Sequence, residues 1–494
     1  MSEDRAYSRP SALAIQLLGN PTAGQLLAKR VLLTADRDAL QTKAGRSCFL
    51  AAASLLTRVC ADLTILLPDD IGNFAKNVQV RMGLIHYAGN INFVSRQKAR
   101  IEEFSAILNI GQTTTASLPW TSIACDGWAI QVSSTGTAIN LRFHSFNPAA
   151  ALAAASIGVT EVFKRLLGVA PARAPLMDGD VFSLLTYTVD ADPGPKIKGP
   201  IRLDCVLVGW GAIGNGIRHV LLELPLEGWI AIVDCQQAGA ENWGTYIDLT
   251  QPDFDKPKAE TAARGWSPTV SARPFSIDIE QFLQKVGTEI QAPDVVLGAL
   301  DNIDARHQVQ QLWPDVAIDG AIGDFSCQVS RHPWNGDVAC LRCLFRHPPG
   351  EDAHLATSRA TGLTIESARA ALENISDADI ENAPADKKQL LKDNKGRPRC
   401  SVISEALARE LSGSPERFSP SAPFVACFSG AMVAAEFMKY RLGLSSPLDP
   451  RFQLDMLRGP TSGLMLEQGR RQECVCTVRR RTNEKWRRIV SAVS

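Results

Sequence analysis

The sequence predicts an α/β chain built from two tandem Rossmann-like lobes, with a helical segment inserted in the second. Three observations carry this. An apolar run, Val206-Leu207-Val208, closes on Gly209-Trp210-Gly211-Ala212-Ile213-Gly214. That G-x-G-x-x-G spacing lets a strand turn tightly into a helix and brings backbone close to phosphate. Two apolar stretches then end alike, E-V-F-K-R-L-L-G over Glu161–Gly168 and E-F-M-K-Y-R-L-G over Glu436–Gly443. Each has basic residues in a last helical turn and a glycine suited to the C-cap. Finally, a strand–helix–strand order near the start of the chain matches the one around Gly209.

The first lobe is assigned to residues 1–195. Arg30–Leu33 reads as a strand, Ser47–Val59 as a helix with an apolar face, and Leu63–Leu67 as a second strand before Pro68. An alanine-rich helix starts near Asn147-Pro148 and runs to Gly168. The phosphate loop is missing, since residues 35–46 offer one glycine, Gly45. The lobe therefore reads as an inactive copy, and the proline- and glycine-rich Asp190–Pro200 as a linker.

The second lobe begins at 196–345. Its glycine loop opens a helix, Trp229–Val233 forms a strand ending at Asp234, and Val295–Leu300 forms another ending at Asp301. An insertion over 346–422 contains a helix at Glu366–Asn374, a polar loop at Ile380–Arg399, and a helix opened by Cys400. Residues 423–494 complete the lobe with a helix from Pro423 and a tail carrying Cys474-Val475-Cys476.

Bulk composition sets limits. A chain of 494 residues, 45% apolar and 21% charged, is ordinary for a globular protein of several domains. Lys+Arg and Asp+Glu are both 52, so no global field favours nucleic acid or an acidic membrane. No apolar run approaches the length of a membrane-spanning helix, and the start is polar; we expect a cytoplasmic protein without a membrane partner. The 12 cysteines are scattered, which in a reducing compartment means buried thiols rather than disulfides. The basic run Arg479-Arg480-Arg481 reads as a solvated end.

Gly209, Gly211 and Gly214 with Asp234, which can bind a ribose hydroxyl, fit any nucleotide, and dehydrogenases use the same device. Lys258, in K-P-K-A-E, and Asp301 shift the balance: hydride transfer has no evident need for them. An enzyme that spends ATP needs a cation against the phosphates and a carboxylate for Mg²⁺.

These motifs, in the order glycine loop, Val233-Asp234, Asn242, Lys258, Leu300-Asp301-Asn302 with Arg306, Asp319-Gly320 and the Cys340-x-x-Cys343 pair, resemble the ubiquitin-activating superfamily over about residues 200–480. That superfamily includes the adenylyltransferases of sulfur-carrier proteins. The resemblance implies two lobes paired as a pseudo-dimer within one chain. It also implies that the C-terminal glycine carboxylate of a ubiquitin-like protein attacks the α-phosphate of ATP, with Lys258 and Asp301 catalytic. Asp234, Asn242, Asp301 and Asn302 would line the nucleotide site. Tyr7-Ser8-Arg9 is similar to the Tyr-x-Arg at the head of the family, making Arg9 a candidate arginine finger. The insertion falls where the family carries its catalytic cysteine. Cys400 is the candidate nucleophile, favoured as thiolate by a helix N-terminus with Arg397 and Arg399 nearby; Cys427 and Cys327 are rivals. Its thioester would pass to a conjugating enzyme.

The chain departs from the family at two places. Gln236 stands where an acidic residue is usual, and Thr245 where a phosphate-binding arginine is usual. Cys340, Cys343, Cys474 and Cys476 make two close pairs suited to a structural zinc, with a redox pair as the alternative. Compact activating enzymes of bacterial ubiquitin-like conjugation operons, some linked to antiphage defence, are similar in layout. The alternatives are a sulfur-carrier or peptide adenylyltransferase without a thioester step, a non-catalytic scaffold binding a ubiquitin-like protein, and a nicotinamide-dependent oxidoreductase.

Overall fold

The computed structural model describes residues 7–95, 97–112, 119–169, 179–334, 336–346, 353–370, 373–397, 399, 402 and 422–478; the side chains of 8, 9 and 353–356 are not among them. It separates into a large unit of residues 1–344 and 420–494 and a small one of 345–419.

The large unit holds two sheets. The first contains β1 (Arg30–Ala35), β2 (Asp62–Leu66), β3 (Asn90–Val94), β4 (Ala106–Ile110), β5 (Trp120–Asp126), β6 (Ala129–Ser133), β7 (Val181–Ser183) and β8 (Thr188–Val189). The second contains β9 (Ile201–Arg202), β10 (Cys205–Val208), β11 (Leu226–Val233), β12 (Val270–Phe275), β13 (Val295–Gly298), β14 (Val316–Gly323), β15 (Ser326–Pro333), β16 (Pro450–Asp455) and β17 (Leu464–Glu467). Their orders are β3-β2-β1-β4-β5-β6-β7-β8 and β12-β11-β10-β13-β14-β15-β16-β17, with β9 beside β11. Position by position these are one topology used twice. Five strands run parallel and three antiparallel strands follow, in both sheets. The chain order reverses between β1 and β4, and again between β10 and β13. Each reversal opens a crevice at the carboxyl ends of the strands.

The local reasons are visible in the residues. The central strands β1, β4, β10 and β13 are apolar on both faces and buried, as parallel strands covered by helices must be. The first long helix is Lys43–Val59, one turn longer than its apolar stripe suggests, because Thr42 Oγ1 accepts from Gly45 N at 2.9 Å and caps it. Helix Pro148–Leu166 starts with Asn147 accepting from Ala149 N at 3.0 Å, with proline in the first turn. Its counterpart is Pro423–Arg441. Both close alike: Gly168 and Gly443 have positive φ, and Val169 N and Leu444 N donate back to the carbonyls of Lys164 and Lys439 at 2.9 and 2.8 Å.

The two lobes pack through these helices. Lys164 and Lys439 are fully buried beside Glu161 and Glu436, at 2.7 and 2.6 Å. Lys164 Nζ also donates to the Leu457 carbonyl (3.1 Å) and the Tyr187 hydroxyl to Glu436 Oε1 (3.0 Å). The segment at 190–200 is not a free tether, because Trp128 donates to the carbonyls of Pro193 and Pro195.

The small unit folds around Leu363, Ile375, Ile380, Ala383, Leu391 and Val402. The polar loop expected over Ile380–Arg399 is corrected here. Helices Asp377–Asn382 and Lys388–Asp393 occupy that stretch, the first opened by a Ser376 capping box, because Ile380 and Leu391 are needed in the core. The expected helix at Glu366–Asn374 is shorter, Ile365–Arg369, capped by Thr364.

Among the described residues no helix is long and apolar enough to cross a membrane.

Candidate functional site

The second lobe's crevice begins with its glycines. Gly209 has φ +88°, and a Cβ there would stand 2.6 Å from the Ala299 carbonyl; at Gly214 it would stand 2.1 Å from the Gly209 carbonyl. Both are required for the loop to lie against β13 and enter the Ala212–Leu221 helix. Gly211 is different. Nothing comes nearer than 3.9 Å to its Cβ position, and what lies there is the Tyr246 hydroxyl and the Ala299 carbonyl. The missing side chain leaves room on the crevice side, as close approach of a phosphate requires.

Asp234 follows β11 and ties the loop down: Oδ2 accepts from Trp210 N (2.7 Å) and Oδ1 from Gln236 N (2.9 Å). Lys258 opens helix Lys258–Ala262 and is buried, its Nζ donating to Gln236 Oε1 at 2.7 Å. The residue that departs from the family pattern thus aims the lysine. Burial works against the ammonium, but contact with Tyr246 and the charges of Asp234 and Asp301 outweigh it and raise its pKa. Asn242 is buried, and its Oδ1 accepts from Gly239 N at 2.9 Å, fixing the turn that carries it. Thr245 is fully buried and bonds to the Asn242 carbonyl (3.3 Å).

Across the crevice, Asp301 and Asn302 are exposed after β13. The helix there, Ile303–Val309, is capped by Asn302, whose Oδ1 accepts from Ala305 N at 2.7 Å. Asp301 is thereby left out of the capping role. Arg306 fixes the turn by donating to the Leu300 carbonyl and to Asp319 Oδ2. Burial pushes Asp319 up to about 6, with Arg306 opposing. The structure thus brings Lys258 together with Asp234 and Asp301 beside the Gly209–Gly214 loop, while Asn302 follows Asp301 directly and Asn242 lies in the turn that leads to Tyr246. Asp301 offers a hard oxygen ligand of the kind Mg²⁺ takes alongside phosphates.

In the first lobe a carboxylate stands directly after the first central strand, where the second lobe has Gly209. Asp36 follows β1, and its carboxylate accepts from Gln112 N (2.6 Å) and Asn109 Nδ2 (3.2 Å). At Gly111 a Cβ would meet that carboxylate at 2.4 Å.

Two expected residues lie outside this description. Cys400 is not among the described residues, nor is the Arg9 side chain. Next to the former, Arg399 bonds Asp379 (2.8 Å) and Glu373 (2.7 Å), and Arg397 bonds Asn394. The guanidinium of Arg399 is therefore matched by carboxylates. Tyr7 heads helix Ser8–Leu18, its ring 6.0 Å from that of Trp243, and Gln16 bonds Asp324 between β14 and β15. The helix thus runs from Trp243 to the turn between β14 and β15. Cys327 and Cys427 are buried, and burial raises both thiols out of the nucleophilic range. Sequence reading passed over Tyr246, whose only signal is an aromatic in apolar context.

Cys340, Cys343, Cys474 and Cys476 bring their sulfurs within 4.8 Å of one another, all buried. Cys340–Cys474 and Cys343–Cys476 are 3.7 and 3.6 Å apart. Tetrahedral zinc with bonds of 2.3 Å needs sulfurs about 3.8 Å apart, so the cluster fits zinc. The Cys343 pKa is lowered chiefly by hydrogen bonds from the Cys340 and Cys476 thiols, with the Arg471 amide adding to them.

Residues 30–174 match the BilD N-terminal domain. No curated protein matches the chain. Among solved structures it is similar to E. coli MccB with MccA-N7isoASN, at TM-score 0.37 and 15% identity over 56% of this chain and 66% of that one, just under two thirds. The microcin C7 biosynthetic enzyme MccB in complex with N-formylated MccA gives 0.37 and 14%, over 56% and 67%. Likeness at that level carries no inference. The match that does extends over residues 201–476, more than half of the chain, and takes in the glycine loop, Lys258, Asp301 and all four clustered cysteines. The chain belongs to the ThiF family, within the superfamily of ubiquitin-activating enzymes and related adenylyltransferases.

Proposed function

We propose that this chain uses ATP to activate the C-terminal carboxylate of a ubiquitin-like protein and then takes it as a thioester on Cys400. The observation that carries the first half is the convergence of the open Gly211, the aimed Lys258 and Asp301 at the second lobe's crevice, while the first lobe has Asp36 where the second has Gly209. The carrier's glycine carboxylate oxygen bonds the α-phosphorus, the bond to the bridging oxygen breaks, and pyrophosphate leaves. Lys258 bears on the phosphates, Asp234 holds ribose, and Asn242 and Asn302 line the pocket. Mg²⁺ held by Asp301 would supply charge neutralisation between phosphates. Tyr7 sits against Trp243, which supports Arg9, two residues on, as the finger replacing the arginine absent at Thr245.

In the second half the Cys400 thiolate attacks the acyl carbon, AMP leaves, and the thioester passes to a cysteine of a conjugating enzyme. On this reading residues 1–195 serve as the inactive member of a pseudo-dimer, 196–345 and 423–494 as the active lobe, and 346–422 as the cysteine segment of a cytoplasmic enzyme. The matched charge on Arg399 favours a second reading, adenylation of a sulfur carrier or peptide with no thioester. Cys400→Ala separates the two. We expect it to keep pyrophosphate exchange and lose a reductant-sensitive adduct with the carrier; an adduct that persists removes Cys400 from the mechanism.

A further inference from the structure

Arg58, near the end of helix Lys43–Val59 in the first lobe, is fully buried. Among the described residues its polar partners include no carboxylate. Nη1 donates to the Ile85 carbonyl (3.0 Å) and Thr57 Oγ1 (3.1 Å). Nε and Nη2 cross the lobe boundary to the carbonyls of Tyr246 (3.3 Å) and Leu249 (3.0 Å). The guanidinium lies 4.1 Å from the ring centre of Trp243, whose Nε1 donates to the same Ile85 carbonyl (2.9 Å). Burial, and then Arg81, push Arg58 down to about 9. Asp248 favours the charge from a distance, but no carboxylate among the described residues bonds the guanidinium, and a buried cation so placed is costly. What the cation secures is a grip on residues 243–249 of the other lobe.

That segment carries Tyr246. Its hydroxyl stands 3.9 Å from the Gly211 Cβ position, in the open part of the phosphate loop, and the Lys258 ammonium lies 5.5 Å from its ring centre. Trp210 packs edge-on against the same ring at 5.7 Å. Tyr246 is thus held between loop and lysine, in the segment where Thr245 supplies no cation.

We propose that Arg58 is a positioning residue for the second lobe's nucleotide pocket, acting from the first lobe through Tyr246, whose hydroxyl faces the phosphates beside Lys258. The proposal rests on the ATP-dependent reading above. It makes nucleotide binding depend on the seating of the two lobes: when they part, the 243–249 segment loses both Arg58 bonds together with the Trp243–Ile85 and Asp248–Arg81 contacts, and the pocket loses a wall.

The test measures ATP affinity by calorimetry on the full-length chain with Mg²⁺, for wild type, Arg58→Lys, Tyr246→Phe and the double variant. Arg58→Lys keeps a charge over Trp243 but lacks the planar fork that spans the carbonyls. We expect it to retain a cooperative thermal transition and to show faster amide exchange over 243–249. ATP should bind about tenfold more weakly to each single variant, the scale of a lost hydrogen bond to a charged partner, with no further loss in the double. Wild-type affinity in folded Arg58→Lys overturns the proposal, as does a loss that adds to that of Tyr246→Phe. Should Arg58→Lys not fold, Tyr246→Phe decides alone, and wild-type affinity there overturns it. A wild-type chain that binds no ATP sinks the ATP-dependent reading itself, whereas tight wild-type binding indifferent to both variants sinks only this inference.

Discussion

The Tyr187 hydroxyl, between β7 and β8 of the first lobe, donates to Glu436 Oε1 of the second at 3.0 Å, with Lys439 Nζ 4.1 Å from its ring centre. The equivalent stretch of the second lobe, after β16, returns the contact: the Leu457 carbonyl accepts from Lys164 at 3.1 Å. Each buried Glu–Lys pair is therefore completed by the opposite lobe. Tyr187→Phe leaves a fully buried carboxylate short of one donor. It should destabilise the large unit by about 1.5–3 kcal/mol, the cost of a lost hydrogen bond to a charged group. The urea midpoint with unchanged slope checks this.

A second lobe contact sets a pH dependence. His219 Nδ1 lies 3.0 Å from Asp248, which also pairs with Arg81 of the first lobe. Burial opposes charge on His219, but Asp248 outweighs it and the pKa is raised. A base with a raised folded pKa contributes stability that is full below its unfolded value, near 6.5, and is lost as pH rises through the folded value. The thermal midpoint should therefore fall as pH rises through that window. His219→Gln should flatten the fall, and an identical slope in the variant would remove His219 as its source.

Much of the second lobe was legible because phosphate binding constrains the chain locally. Gly209 and Gly214 are required by backbone contacts, and Asp234 lies where a strand ends. The duplication was legible in the two Glu–Lys helix ends. Arg58 was not, because an arginine in the last turn of a helix reads as ordinary end charge, and its contacts appear only when another lobe folds over it. The helices at Asp377 and Lys388 were missed since each spans only six residues with two adjacent or nearly adjacent apolar positions, too short for a periodic pattern.

Zinc gives a direct check on the cluster. Purified chain should carry about one zinc, as a closed four-thiolate site requires. Cys474→Ser should lower metal content and thermal midpoint together, because the site ties residues 474–476 to 340–343 and metal binding is coupled to folding. Metal-free protein of full stability would count against the site.

The missing glycine loop of the first lobe predicts nucleotide stoichiometry. Calorimetry should find a single ATP per chain, and Asp36→Ala should leave that number unchanged, since residues 35–46 offer no glycine loop to cradle a phosphate. Two bound nucleotides per wild-type chain would show that the first lobe is not blocked.

The most direct test is ATP–pyrophosphate exchange in the presence of Mg²⁺ and a carrier ending in a free glycine carboxylate. Wild type should exchange. Lys258→Ala and Asp301→Ala should each slow it by about a hundredfold or more, the scale of removing one charge-stabilising group from a transition state. Exchange at the wild-type rate in both variants would contradict the assignment of chemistry to this crevice.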